Sequence, residues 1–158
     1  MIFVEFQIDD RGLKRAQEML SPVLWNRIIT KAAYDTTRDM AELYLSRVRT
    51  RILQGRALGP PLSAGWAARK GHDIPWLWTG WLLARMNVRR VSGMMVSAGF
   101  SSGPAAEAAL RCELGTVKQP GRPVFEPEAK QLRREHGTLR RVARKNTLSA
   151  ARRHGIRV

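Results

Sequence analysis

The groups able to do chemistry in this chain are few. Asp35, Asp39 and Glu42 stand at i, i+4 and i+7. That spacing puts three carboxylates on one side of a helix, where such groups can hold a divalent cation or share a proton. Arg38 and Arg47 are near enough along the same helix to pair with them, so a solvated, salt-bridged face is the simpler reading. A small hydrolase working through Asp35 and Asp39 is the enzymatic alternative. His72, His136 and His154 are scattered, without metal-ligand spacing or a cysteine partner. Cys112 is a lone thiol with no nearby histidine to activate it, and it cannot close an internal disulfide. The sequence has no phosphate loop, dinucleotide fingerprint, serine elbow or zinc-ligand pair. No catalytic, cofactor-binding or metal-binding residue is assigned, and the chain reads as a non-enzyme without a cofactor.

Two features are better suited to recognition than to turnover. Trp66, Trp76, Trp78 and Trp81 fall close together beside Arg69 and Lys70. Such a cluster can stack nucleic-acid bases, anchor a loop, or meet a neighbouring subunit, because tryptophan is enriched at protein interfaces. The second feature is a basic C-terminal run that includes Lys130, Arg133, Arg134, Arg140, Arg141, Arg144, Lys145, Arg152, Arg153 and Arg157. Only Glu128 and Glu135 oppose it. Over the whole chain 28 basic residues face 13 acidic ones, a formal charge of +15. Charge of that size attracts polyanions or acidic protein surfaces without choosing between them.

The elements that must position these residues form a single domain: 158 residues, 44% of them apolar, suit one core with a tail. No run of about 18 apolar residues could span a bilayer, and the N-terminus carries no secretory pattern. Ile2, Val4, Phe6 and Ile8 alternate as in a short strand. Asp9 and Asp10 can cap a helix through Leu13, Ala16 and Leu20. Ser21 and Pro22 start a longer helix, whose Leu24, Ile28, Ala32, Thr36, Met40, Leu43, Leu45 and Val48 keep to one face as far as Gly55. Residues 54–75 read as a loop, broken by Gly55, Gly59, Pro60, Pro61, Gly65 and Gly71. Residues 81–86 suit a short helix or a strand start. Residues 87–91 and 94–100 form a β-hairpin turning at Ser92-Gly93. Residues 105–114 are helix-prone, and Gly115-Thr116 stops that helix. Pro120-Gly121 makes a turn, Pro123 and Pro127 hold Val124 and Phe125 extended, and the chain becomes helical again beyond them. Gly137 is expected to break or fray that last helix, and sparse apolar positions should weaken its docking toward the end. The fold class is therefore α+β: N-terminal helices, a central antiparallel β-hairpin and a basic C-terminal helix. The expected organisation is one domain over 1–135 and a basic helical arm over 136–158.

Three segments, in order, resemble a known family. Pro61-Leu62-Ser63, then Lys70, then Trp78-Thr79-Gly80-Trp81-Leu82 are similar to a P-L-S…K…L-x-T-G-x-L pattern that leads into a hairpin. After the hairpin, Glu113-Leu114-Gly115-Thr116 and Arg122-Pro123-Val124-Phe125-Glu126-Pro127-Glu128-Ala129 resemble an E-F-G-T…R-P-F-L-x-P-A close. This order is that of the tail-completion and head–tail joining proteins of long-tailed bacteriophages, including the lambda-like minor tail protein Z and the virion morphogenesis proteins. Here Val124-Phe125 stands where the family has Phe-Leu, which moves the bulky anchor by one position.

The resemblance implies a structural virion protein of the neck or head-proximal tail, assembled in the bacterial host cytoplasm, with no turnover. It implies other copies in a closed ring, sixfold being the expected order, and contacts with the head–tail connector and the tail terminator or tail tube proteins. The end of packaged DNA is a further implied partner; a membrane is not. Trp66 and Trp76 from the aromatic cluster, with Trp78, Thr79, Gly80, Leu82, Glu113, Gly115, Thr116, Arg122, Pro123 and Phe125 from the motifs, are the candidates for assembly or for fixing the fold. Arg140, Arg141, Arg144, Lys145, Arg152 and Arg153 form the basic arm. The alternative function is a non-specific nucleic-acid-binding module that uses this arm on phosphates.

Overall fold

The long helix foreseen behind Ser21 forms and carries the rest of the molecule. In the computed structural model, which describes residues 21–55, 59–74, 76 and 80–154, α1 runs from Pro22 to Leu53. Its 32 residues correspond to a rod of about 48 Å. Pro22 occupies the first turn, and the Ser21 Oγ accepts from the Leu24 N–H at 3.4 Å. Trp25, Ile28, Ala32, Thr36, Met40, Tyr44, Val48 and Ile52 recur at helical spacing and are buried. Thr36 sits within this stripe because its hydroxyl donates to the Ala32 carbonyl at 2.7 Å, so nothing polar is left unpaired.

The short elements follow: α2 (Ala64–Lys70), α3 (Trp81–Arg85), the strands β1 (Asn87–Ser92) and β2 (Met95–Gly99), and α4 (Pro104–Leu114). A two-residue ladder, β3 (Gly115–Thr116) with β4 (Gln119–Pro120), leads to α5 (Phe125–Arg134) and α6 (His136–Arg153). The hairpin pairs antiparallel with Val88 opposite Ala98, and it slips register between Arg90 and Ser92. β2 packs against α1 and is buried from Val96 to Gly99, whereas β1 is largely exposed. The architecture is α+β: two small antiparallel sheets on a helical frame. No helix among the described residues is long and apolar enough to cross a membrane.

α6 returns along α1 in the opposite direction. Arg47 grips Glu135 at one end, Asn146 Nδ2 donates to Asp39 at 3.0 Å further along, and Ala150 closes on Ile28 and Ala32. Helix therefore persists to Arg153, with Ala150 and Ala151 buried. Docking does not weaken as the sparse leucines suggested, because small and polar side chains make the contact. The break falls at Glu135 rather than Gly137: Glu135 leaves helical geometry with ψ 56°, and its carboxylate accepts from the Thr138 hydroxyl at the start of α6.

Three further expectations are corrected. Residues 54–75 are not all loop, since α2 lies within them and ends on left-handed Gly71. The hairpin turn sits one residue later, on Gly93 and Met94. Phe125 is not extended: it opens α5, and Pro127 falls in that helix's first turn, where its missing N–H costs nothing. The expected strand over 1–8, the helix behind Asp9 and Asp10, and Trp78, Thr79 and Arg157 lie outside the described residues.

Candidate functional site

Glu113 and Arg122, from opposite sides of the β3–β4 turn, tie the middle of the chain into one knot. α5 begins Val124-Phe125-Glu126-Pro127, with no serine, threonine, aspartate or asparagine in position to cap it. Glu113 supplies the cap from the end of α4. Its carboxylate accepts from the N–H groups of Val124 (2.8 Å), Phe125 (3.3 Å) and Glu126 (3.0 Å). An anion at a helix N-terminus also meets the favourable end of the helix dipole.

Arg122 joins three segments. Its backbone N–H donates to the Cys112 carbonyl at 2.8 Å, and its guanidinium donates to the carbonyls of Pro60 (2.9 Å) and Pro61 (3.2 Å). The Arg122 carbonyl accepts from the Trp76 indole at 3.0 Å. The backbones approach so closely that a Cβ on Gly115 would overlap the Gly121 nitrogen and lie 2.8 Å from the Gln119 oxygen. Gly115 also has φ 83°, a left-handed conformation that favours glycine.

Phe125 fills the centre. It is fully buried, its ring 5.7 Å from Trp76, 5.9 Å from Phe100 and 6.2 Å from Tyr44. The Tyr44 hydroxyl donates to the Phe125 carbonyl at 2.9 Å, and burial holds that phenol above its ordinary pKa. Trp76, Leu82, Glu113, Arg122 and Phe125 are therefore buried within the subunit, where they fix its fold, and Trp76, Leu82 and Arg122 also line the inner wall of a solvent groove. Pro123 is half-buried beside them, and Gly80 sits in left-handed geometry just ahead of α3.

What this knot presents to solvent is a groove of about 870 Å³ walled by Trp66, Trp81, Pro61, Cys112, Thr116 and Lys118. Trp66 and Trp81 are 47% and 40% exposed there, an unusual display of aromatic surface. Each lies near a guanidinium, Arg69 at 5.9 Å and Arg85 at 5.6 Å from the ring centre. Val117, at the tip of the β3–β4 turn, is fully exposed beside the groove. Burial raises the Cys112 thiol above its ordinary pKa, and burial lowers that of Lys70. A protonated thiol is a poor nucleophile, so Cys112 is not activated in the groove.

The second surface is the outward side of α6. Arg140, Arg141, Arg144, Lys145, Arg152 and Arg153 are all exposed, and none forms an ion pair with a described residue. Five of them, all but Arg140, border an open groove of about 650 Å³ with Leu148 and Ser149. The carboxylates of α1 do not gather: Asp35 pairs with Lys31, Glu42 with Arg38, and Asp39 accepts from Asn146. Arg47, expected near them, pairs instead with Glu135. Among the described residues no three histidine, cysteine, aspartate or glutamate side chains come together as a metal site would need.

Sequence reasoning missed the roles of Tyr44 and Asn146. The missing cap at the start of α5 was the available signal for Glu113: a helix start without a local acceptor calls for one from elsewhere. Neither the protein-family models, nor the curated proteins, nor the solved structures contain a match to the chain.

Proposed function

We propose that the protein is a structural subunit of a long-tailed bacteriophage, a tail-completion or neck protein that helps join the tail to the head. One observation carries the reading. Of the segments that resemble the family, the one around Pro61 lies about sixty residues before those at 113–116 and 122–129, yet all three meet in the single knot around Glu113 and Arg122. Chance similarity of short motifs carries no expectation that they meet. The knot leaves Trp66 and Trp81 exposed on a groove, the kind of aromatic surface that becomes the centre of a subunit interface. In this reading copies of the chain close into a ring and stack against the connector on one side and the tail terminator or tube on the other.

The test is electron microscopy of particles from a phage lacking the gene. Filled heads beside separate tails of complete length are expected. Tails of wrong length would move the protein into tail building, and normally joined particles would overturn the reading.

A further inference from the structure

The geometry points to the outward face of α6 as a preformed grip for the phosphate backbone of duplex DNA, bound without regard to base sequence. This goes beyond the neck reading and does not depend on it. Arg141, Arg144, Lys145 and Arg152 recur at i, i+3, i+4 and i+11, so they form one stripe, while Asn146 and Ala150 hold the opposite side against α1. The stripe is thus mounted on a rigid two-helix frame, and its charges need no ordering of the backbone to assemble.

Its partner follows from the chemistry. α6 contains no acidic residue, and the stripe's cations make no ion pair with a described residue, so their charge is open to a ligand. Along the axis Arg141 and Arg152 are about 16 Å apart at 1.5 Å per residue. A duplex presents about ten phosphate charges over that length, at one per ~1.7 Å. Guanidinium forks match phosphate oxygens bidentately, and three of the four stripe cations are arginines. An acidic protein partner fits less well. Protein interfaces centre on aromatic and apolar anchors, and this face offers only the half-buried Leu148. The stripe consists of cations alone, the groups that hold phosphate oxygens, so affinity should come mainly from charge.

The experiment uses the purified full-length protein and short fluorescent duplexes of two unrelated sequences, with anisotropy followed between about 50 and 200 mM salt. Equal affinity for both duplexes is expected, with log affinity falling against log salt at a slope of about −4 for four cations. R141A/R144A/K145A/R152A should abolish most of that slope, while R141K/R144K/R152K keeps it. Removing equal charge from other elements, by R69A/R89A/R111A/K118A, should change the slope by less than about one unit. In the unaltered protein, duplex should also shield Arg141, Arg144 and Arg152 from an arginine-modifying reagent. That readout stands even if the alanine variant unfolds. Equal loss in both alanine variants, or shielding of other arginines instead, would overturn the assignment. Tighter binding to polyglutamate than to duplex would give the face to an acidic protein and overturn it equally.

Discussion

Glu113→Gln is the perturbation that probes the knot most sharply. The substitution preserves size and removes the charge. One amide oxygen can serve at most two of the three N–H groups that the carboxylate now satisfies, and the amide NH2 points a donor among donors. A buried donor left without a partner costs about 1–3 kcal/mol, and losing an anion at a helix N-terminus costs about 0.3–1 kcal/mol more. The expected loss is therefore about 1.3–4 kcal/mol. At about 2–4 °C per kcal/mol for a chain of this size, the melting temperature should fall by about 3–16 °C. Urea unfolding followed by tryptophan fluorescence reports the change, because Trp76 is buried in the same knot. Glu107→Gln is the control: on the same helix but 71% exposed, it should cost less than about 0.5 kcal/mol. A Glu113→Gln protein as stable as that control would refute the capping argument.

Gly115→Ala should cost more than about 2 kcal/mol in the same assay, through positive φ and overlap with the Gly121 backbone. Gly137→Ala, with ordinary φ and open space around it, should be neutral or stabilise by up to about 1 kcal/mol. The hydrogen bonds from Arg47 hold the Glu135 carboxyl at about 2, below the ordinary carboxylate range. A depressed folded-state pKa stabilises above the unfolded value and is lost as pH falls through the folded one. Unfolding curves should therefore show stability declining from about pH 5 toward 2, with a shallower decline in Arg47→Gln. Tyr44→Phe should cost about 1 kcal/mol near neutrality by removing the bond to Phe125. Its stability should fall less than that of the unaltered protein above about pH 10, where the unfolded tyrosine ionises and the buried one resists.

Periodicity and punctuation made the frame legible. Ser21-Pro22 and the stripe through Val48 marked α1, alternation around Gly93 marked the hairpin, and Gly115 marked the end of α4. α2 escaped because its seven residues bury nothing and so leave no pattern to read. The start of α5 was misread because Pro127 looked like a boundary, whereas a proline in the first turn begins a helix as readily. The docking of α6 was underestimated for a different reason. Hydropathy registers large apolar side chains such as Leu139 and Val142, and further along the helix the contact is made by Asn146 and Ala150. At the site, the types of the motif residues alone did not say which faced inward. Burial separates Phe125, which holds the knot, from Trp66 and Trp81, which border its groove.

In the proposed reading this chain is a built-in part of the virion near the head–tail junction. Gold labelling of an epitope-tagged copy in purified, infectious particles tests it most directly. Label is expected on every particle at the head-proximal end of the tail. Label at the distal tip or along the tube, or purified particles without the protein, would contradict it.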